Sequence, residues 1–215
     1  MLKQFFQSEK NMKGFAVVAL IEGFVCGISF YLITGSPDVQ QVIYIIQGVL
    51  VLCVYRAYTA HDKNVMKGML GALLMELILN ELCYMFGFLR VKAAEEFAAG
   101  AALGVCFVLI EAVFFTLQVV LFINHFIINS DHHSSPARVR LNRRILFGLM
   151  LALVVQETFS IATLSSYTAF TVLQQILWFI LEVSTYGFIL CVESRIDEYK
   201  AAREAPHASG ICDNR

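Results

Sequence analysis

Residues 98–128, AAGAALGVCFVLIEAVFFTLQVVLFINHFII, decide the fold class. These 31 residues hold no lysine, arginine or proline, and one carboxylate, Glu111. A helix needs about 20 apolar residues to cross the hydrocarbon core of a bilayer. Backbone that faces lipid must satisfy its own hydrogen bonds, and a helix does so. The stretch therefore reads as a membrane-spanning helix.

Working outward, five more runs have the same character: 14–34, 39–60, 66–89, 145–166 and 168–192. The expected architecture is all-α, a polytopic bundle of six transmembrane helices over residues 1–192, with a charged cytoplasmic tail over 193–215. Composition agrees. The chain is 58% hydrophobic and 15% charged, against about 25% charged in a soluble domain, a first sign that lipid and not water is the main solvent, and nothing suggests a second, soluble domain. Turn signals separate the runs at Gly35-Ser36-Pro37-Asp38 and Ser134-Ser135-Pro136, and a tight hairpin is expected around Ser165-Ser166-Tyr167. The run 14–34 is too long for the apolar part of a signal peptide, and no A-x-A-like site follows it, so it reads as a retained anchor. In the tail, 193–204 (ESRIDEYKAARE) reads as a short charged helix. It is either a solvated end or a linker toward an output domain.

Basic residues give the orientation. Lys3, Lys10 and Lys13 precede the first run, and Arg56, Lys63 and Lys67 flank the second loop. Arg138, Arg140, Arg143 and Arg144 fill the fourth loop, while Arg195, Lys200, Arg203 and Arg215 follow the last run. Only Arg90 and Lys92 fall on the opposite side. This alternation places both termini in the cytoplasm and the chain in a cell membrane.

Function is read from what the apolar runs carry. Six carboxylates lie within them: Glu22, Glu76, Glu81, Glu111, Glu157 and Glu182. A charge at the bilayer centre costs at least about 2.5–3.5 kcal/mol. Such groups belong in the bundle interior, where protonation, a bound cation or water must offset them. Helical spacing supports interior placement. Glu111, Gln118 and His125 recur every seven residues, Glu76, Asn80 and Tyr84 every four, and Glu81 lies about 140° around from Glu76. Gln175, Trp178, Glu182 and Thr185 form another stripe, as do Gln156, Ser160 and Thr163, and Tyr44, Gln47 and Tyr55. The candidate substrate- or ion-binding residues are the six glutamates with Gln118, Asn80 and Gln175. Trp178 and Tyr84 are suited to packing against an organic cation. The competing reading is polar side chains that join helices, at about 0.6 kcal/mol each.

Order along the chain hints at a 3+3 inverted repeat. Glu22, Gln47 and Glu76 in the first half answer to Glu111, Gln156 and Glu182 in the second.

Other chemistry is thinly supported. His61 with Asp62, and His125 with Asp131, His132 and His133, fall on the cytoplasmic side. They are weak metal candidates, because no HExxH or Cys/His pattern frames them. The arginine-rich loop beside them suits anionic lipid. Six cysteines, Cys26, Cys53, Cys83, Cys106, Cys191 and Cys212, include no CxxC pair, and five sit in apolar runs as small apolar residues. Glu95-Glu96 is expected at the start of the fourth helix, where acids complement the helix dipole. No phosphate-binding glycine loop, nucleophile elbow or kinase motif occurs, and no basic face suits nucleic acid. No cofactor is called for.

The sequence thus points to a small cation- or proton-coupled transporter, or a substrate-binding membrane subunit, with a midplane carboxylate site. Its partners are the bilayer and a small cation or cationic solute. The alternative is a non-transporting sensor, assembly factor or partner-binding module. An enzyme using the cytoplasmic His/Asp group ranks third.

Overall fold

Proline and the capping residues set where the helices begin. α6 (Pro136–Thr163) opens on Pro136, at the first helical position, where a missing N–H costs nothing. α4 (Lys63–Glu96) is preceded by Asp62, whose Oδ1 accepts from the Val65 amide at 3.1 Å and so caps an otherwise orphan donor. α3 (Val39–Thr59) ends just before this cap. His61 there has a φ of 57°; its amide donates to the Tyr58 carbonyl and that of Asp62 to the Ala57 carbonyl, both at 3.1 Å. This is the Schellman closure with histidine in the left-handed place that glycine usually takes. His61, named above as a weak metal candidate, is therefore the pivot of a helix-helix turn.

The remaining elements are α1 (Leu2–Gln7), α2 (Glu9–Thr34), α5 (Ala101–Ser130) and α7 (Ala169–Ala208). The computed structural model describes residues 2–34, 39–96, 101–130, 136–163 and 169–208. Side chains are described, with few gaps, over 5–83, 109–127, 137–158 and 172–195. Among the described residues every element is helical. The turn at 35–38 and the hairpin around Ser165-Ser166-Tyr167 lie outside them. So do Asp131, His132, His133, Cys212 and the side chains of Tyr84, Cys106, Ser160 and Thr163.

Each of the six long helices packs on its neighbour in sequence, α2 through α7, and α7 returns to α2. The result is a closed ring. α7 also reaches α3, and the short α1 lies against α7 and α2.

The exterior differs from that of a soluble bundle. Large apolar side chains cover the outside, among them Ile21, Phe24, Ile28, Leu32, Val42, Ile46, Leu109, Val113, Val120, Leu151, Val155 and Ile176. On α4 the outward stripe is narrow, formed by Ala72, Met75, Leu79 and Cys83. An apolar exterior this extensive suits contact with lipid. Among the described residues, four segments are long and apolar enough to cross a membrane: Glu9–Ser29, Gln41–Thr59, Leu109–Ile127 and Gln175–Arg195. The chain is thus an all-helical protein whose apolar helices fit a bilayer. Inside the ring, Leu70, Leu73, Leu77, Phe114, Leu121, Leu149, Leu153 and Leu181 form the core.

Small residues bring α2 and α3 together. Ala19, Gly23 and Gly27 recur every four residues; Ala19 and Gly23 meet Gly48, and Gly27 meets Gln41 and Ile45. A Cβ on Gly23 would stand 2.6 Å from the Tyr44 carbonyl oxygen and 3.2 Å from the Gly48 Cα. This is the small-xxx-small contact that lets helix backbones approach in lipid.

Three boundaries differ from expectation. Arg138, Arg140, Arg143 and Arg144 lie on the first turns of α6 and not in a loop, because Pro136 starts the helix ahead of them. Glu95-Glu96 closes α4 and does not open the next helix; the alanines around them continue the helix, and that outweighs an unfavourable dipole position. The charged segment after 192 is the unbroken continuation of α7, since nothing from Glu193 to Glu204 interrupts a helix.

Candidate functional site

α7 brings Glu182 to the middle of the ring, and polar side chains from three other helices meet it there. The Gln47 amide nitrogen, on α3, donates to Glu182 Oε1 at 3.1 Å and to Thr185 Oγ1 at 3.0 Å. Asn80, on α4, hydrogen-bonds the same carboxyl. Glu76 and Glu81 on α4 and Glu157 on α6 all lie within electrostatic reach of Glu182. Alongside, Gln156 Nε2 on α6 donates to Glu111 Oε1 on α5 at 2.7 Å, and the Glu81 and Glu111 carboxyls hydrogen-bond one another. Gln118 on α5 donates to the Tyr186 hydroxyl at 2.8 Å, one turn of α7 beyond Glu182.

These groups are deeply enclosed: Glu182 is 2% exposed, Gln47 0% and Gln156 1%. Three of the carboxyls lie at similar depth along their helices. Glu182 precedes Arg195 by thirteen residues, Glu157 follows Arg144 by thirteen, and Glu81 follows Lys67 by fourteen. At 1.5 Å per residue each lies about 20 Å from those basic markers. No lysine or arginine occurs in 14–55, 68–89, 93–137 or 145–194. The glutamates are thus concentrated where the helices supply no cationic side chain.

The donors are used up inside the cluster, and acceptors are left over. Gln47 Oε1, Gln118 Oε1, Gln156 Oε1, both Glu76 oxygens and one oxygen each of Glu22, Glu81, Glu111, Glu157 and Glu182 are buried without a hydrogen-bond partner. A buried unsatisfied oxygen costs about 1–3 kcal/mol. Ten of them on one set of helices form an acceptor-rich interior able to take protons, N–H groups or a cation.

The expected stripes differ in fate. Glu111, Gln118 and His125 are all buried on one face of α5 with Phe114 and Leu121. Glu76, Asn80 and Glu81 are all buried, because α4 is wrapped on every side but its narrow outer stripe. Glu22 is half-buried on α2. Gln175 is half-buried two turns from Glu182, with no bond into the cluster described. Residues outside the expected site set also take part: Gln47, Gln156, Thr185 and Tyr186. The two glutamines are visible in sequence as amides within apolar runs, and Tyr186 as the i+4 neighbour of Glu182.

A second polar group sits toward the marker end. His125 Nε2 lies 3.2 Å from the Lys67 carbonyl oxygen, and its Nδ1 lies 4.0 Å from Glu193 Oε1. Asn124 is hydrogen-bonded to Asn142, linking α5 to α6. Arg195 donates to the Gln7 carbonyl from Nε at 3.0 Å and Nη2 at 2.9 Å, and to the Tyr58 hydroxyl at 2.7 Å. Glu9 stands 3.7 Å from it. Among the described residues, no three His, Cys, Asp or Glu side chains are placed to hold a metal ion together. Cys26, Cys53, Cys83 and Cys191 are free thiols.

No protein-family model, curated protein or solved structure matches the chain. The site is therefore read from its own geometry.

Proposed function

We propose that this chain is a small cation- or proton-coupled membrane transporter, or the substrate-binding membrane subunit of one, with the Glu182–Glu111 cluster as its binding site. The observation that carries the reading is the surplus of buried, unpartnered carboxyl and amide oxygens around Glu182. Interhelical bonding alone explains Gln47–Glu182, Gln118–Tyr186 and Gln156–Glu111. It does not explain why ten oxygens are buried with no donor supplied.

In this reading all six long helices span a cell membrane, with α4 and α6 joining the four segments named above and both termini in the cytoplasm. The basic residues at one end of each helix pair support that orientation. Protonation and cargo compete for Glu182, Glu111, Glu81 and Glu76, with Glu157 and Glu22 beside them and Gln118 and Asn80 as neutral ligands. An inverted repeat finds mixed support. The cyclic helix order is compatible with a two-fold relating α2–α4 to α5–α7. The amide bonds depart from it: Gln47 reaches Glu182 in the other half, whereas Gln156 reaches Glu111 in its own.

Uptake by the protein reconstituted in vesicles tests the proposal. Cation-dependent flux is expected in the wild type, and Glu182→Gln and Glu111→Gln each reduce it by an order of magnitude or more while leaving folding intact. Undiminished flux in both variants removes the cluster from the mechanism. Absence of flux together with a copurifying protein partner favours the non-transporting module.

A further inference from the structure

We infer that the cluster takes a protonated organic amine with at least two N–H-bearing centres, in preference to a bare metal ion. This rests on the binding site proposed above and names its ligand class.

Three observations lead there. First, the unpartnered atoms within the cluster itself are all acceptors. Each glutamine turns its nitrogen to a protein oxygen, Gln47 to Glu182, Gln156 to Glu111 and Gln118 to Tyr186. The carbonyl oxygens of these three deeply buried amides are left without a donor, beside Glu182 Oε2 and Glu111 Oε2. An ammonium group brings three N–H donors and a charge of the sign the carboxylates require.

Second, the acceptors are spread out. A bare divalent ion draws its oxygen ligands to about 2–2.6 Å. Among the described residues no three acidic or imidazole side chains are placed to do that. Glu182 nonetheless lies within electrostatic reach of Glu76, Glu81 and Glu157. A ligand that meets several of these groups must be larger than an ion.

Third, the carboxyls occupy two levels. Glu76 and Glu81 are five residues apart on α4, about 7.5 Å along the axis, and both are buried. The upper level is Glu81 with Glu111, and the lower is Glu76, with Glu182 in reach of both. One ammonium cannot serve both levels. Two ammonium groups joined by a short alkyl chain can, and the leucine-rich core beside them suits the methylenes.

Binding to the purified wild type, followed by calorimetry, tests this with diaminobutane, butylamine, sodium chloride and magnesium chloride as probes. Diaminobutane is expected to bind at least tenfold more tightly than butylamine. Glu76→Gln and Glu81→Gln are each expected to weaken diaminobutane binding more than butylamine binding, and so to remove most of that preference. Equal affinity for diamine and monoamine overturns the inference. Saturable binding of sodium or magnesium with no amine binding also overturns it, yet leaves the cation site of the preceding section standing. Binding of none of the four, together with flux insensitive to Glu182→Gln, overturns both. The wild-type comparison needs no variant, so a misfolded mutant does not spoil the test.

Discussion

Replacing Gly23 by alanine adds one methyl group where α2 meets α3, and the structure supplies the size of the effect. The new Cβ would lie 2.6 Å from the Tyr44 carbonyl oxygen, whereas ordinary contact begins near 3.4 Å. The obstacle is backbone on the partner helix, so relief requires α2 and α3 to part by about 0.8 Å at that point. Overpacking of this kind costs about 1–3 kcal/mol. Against it, alanine in place of glycine gains about 0.5–1 kcal/mol of helix propensity. The clash wins, with a net loss of about 1–2 kcal/mol, or about 2–8 °C in Tm for a chain of this size. Trp178 is the sole tryptophan and lies half-buried on α7, so its fluorescence reports unfolding in detergent or nanodiscs. Gly14→Ala and Gly68→Ala are the controls, because a Cβ there meets nothing within 4 Å; both should leave Tm level or raise it. If Gly23→Ala proves as stable as Gly14→Ala, the close helix contact is wrong.

Further outcomes follow from other contacts. Arg195→Ala removes two bonds to the Gln7 carbonyl and one to the Tyr58 hydroxyl; a loss of about 2–3 kcal/mol is expected, read as faster tryptic cleavage at Lys10 and Lys13. Gln156→Leu strips Glu111 of its amide donor and should lower stability by about 1–3 kcal/mol, with Glu111→Gln in the same chain restoring part of it. Cys83, exposed on the outer stripe of α4, should react with a membrane-permeant maleimide, while buried Cys26 and Cys191 stay unlabelled until unfolding. A fluorescent protein fused after Arg215 should fold and fluoresce if the C-terminus is cytoplasmic; a dark fusion with a phosphatase active in its place reverses the proposed topology.

Helix placement was legible because apolar runs without proline leave the backbone few alternatives in lipid. The third run, expected over 66–89, proves longer at both ends, since Asp62 caps it and alanines carry it to Glu96. Much of the polar interior was legible too. Glu111, Gln118 and His125 needed only a helical period to fall on one face. Glu81 was set apart from Glu76 by angle, yet both are buried, because nearly the whole circumference of α4 is covered. Sequence spacing reports angle around one helix and says nothing of how many neighbours surround it. The roles of Gln47 and Gln156 depended on which carboxyl each reaches across the ring, and no single-helix pattern encodes that. The Ala19, Gly23, Gly27 series stands in the sequence as a four-residue small-side-chain period, but the period alone does not say which helix it meets.

The ring closes through α7, and this has a consequence for biogenesis. α7 leaves the ribosome after the five helices it completes, carrying Glu182, Tyr186 and Arg195 with it. Until it inserts, Gln47 and Gln118 lack the oxygens they later bond, Gln7 and Tyr58 lack their guanidinium, and Phe15 lacks the notch over Gly187 that its ring fills. In the six-span reading proposed above, a nascent chain halted at that stage exposes unmet amides and carboxyls to the membrane interior, a mark by which insertion chaperones and membrane proteases can tell an unfinished copy from a finished one.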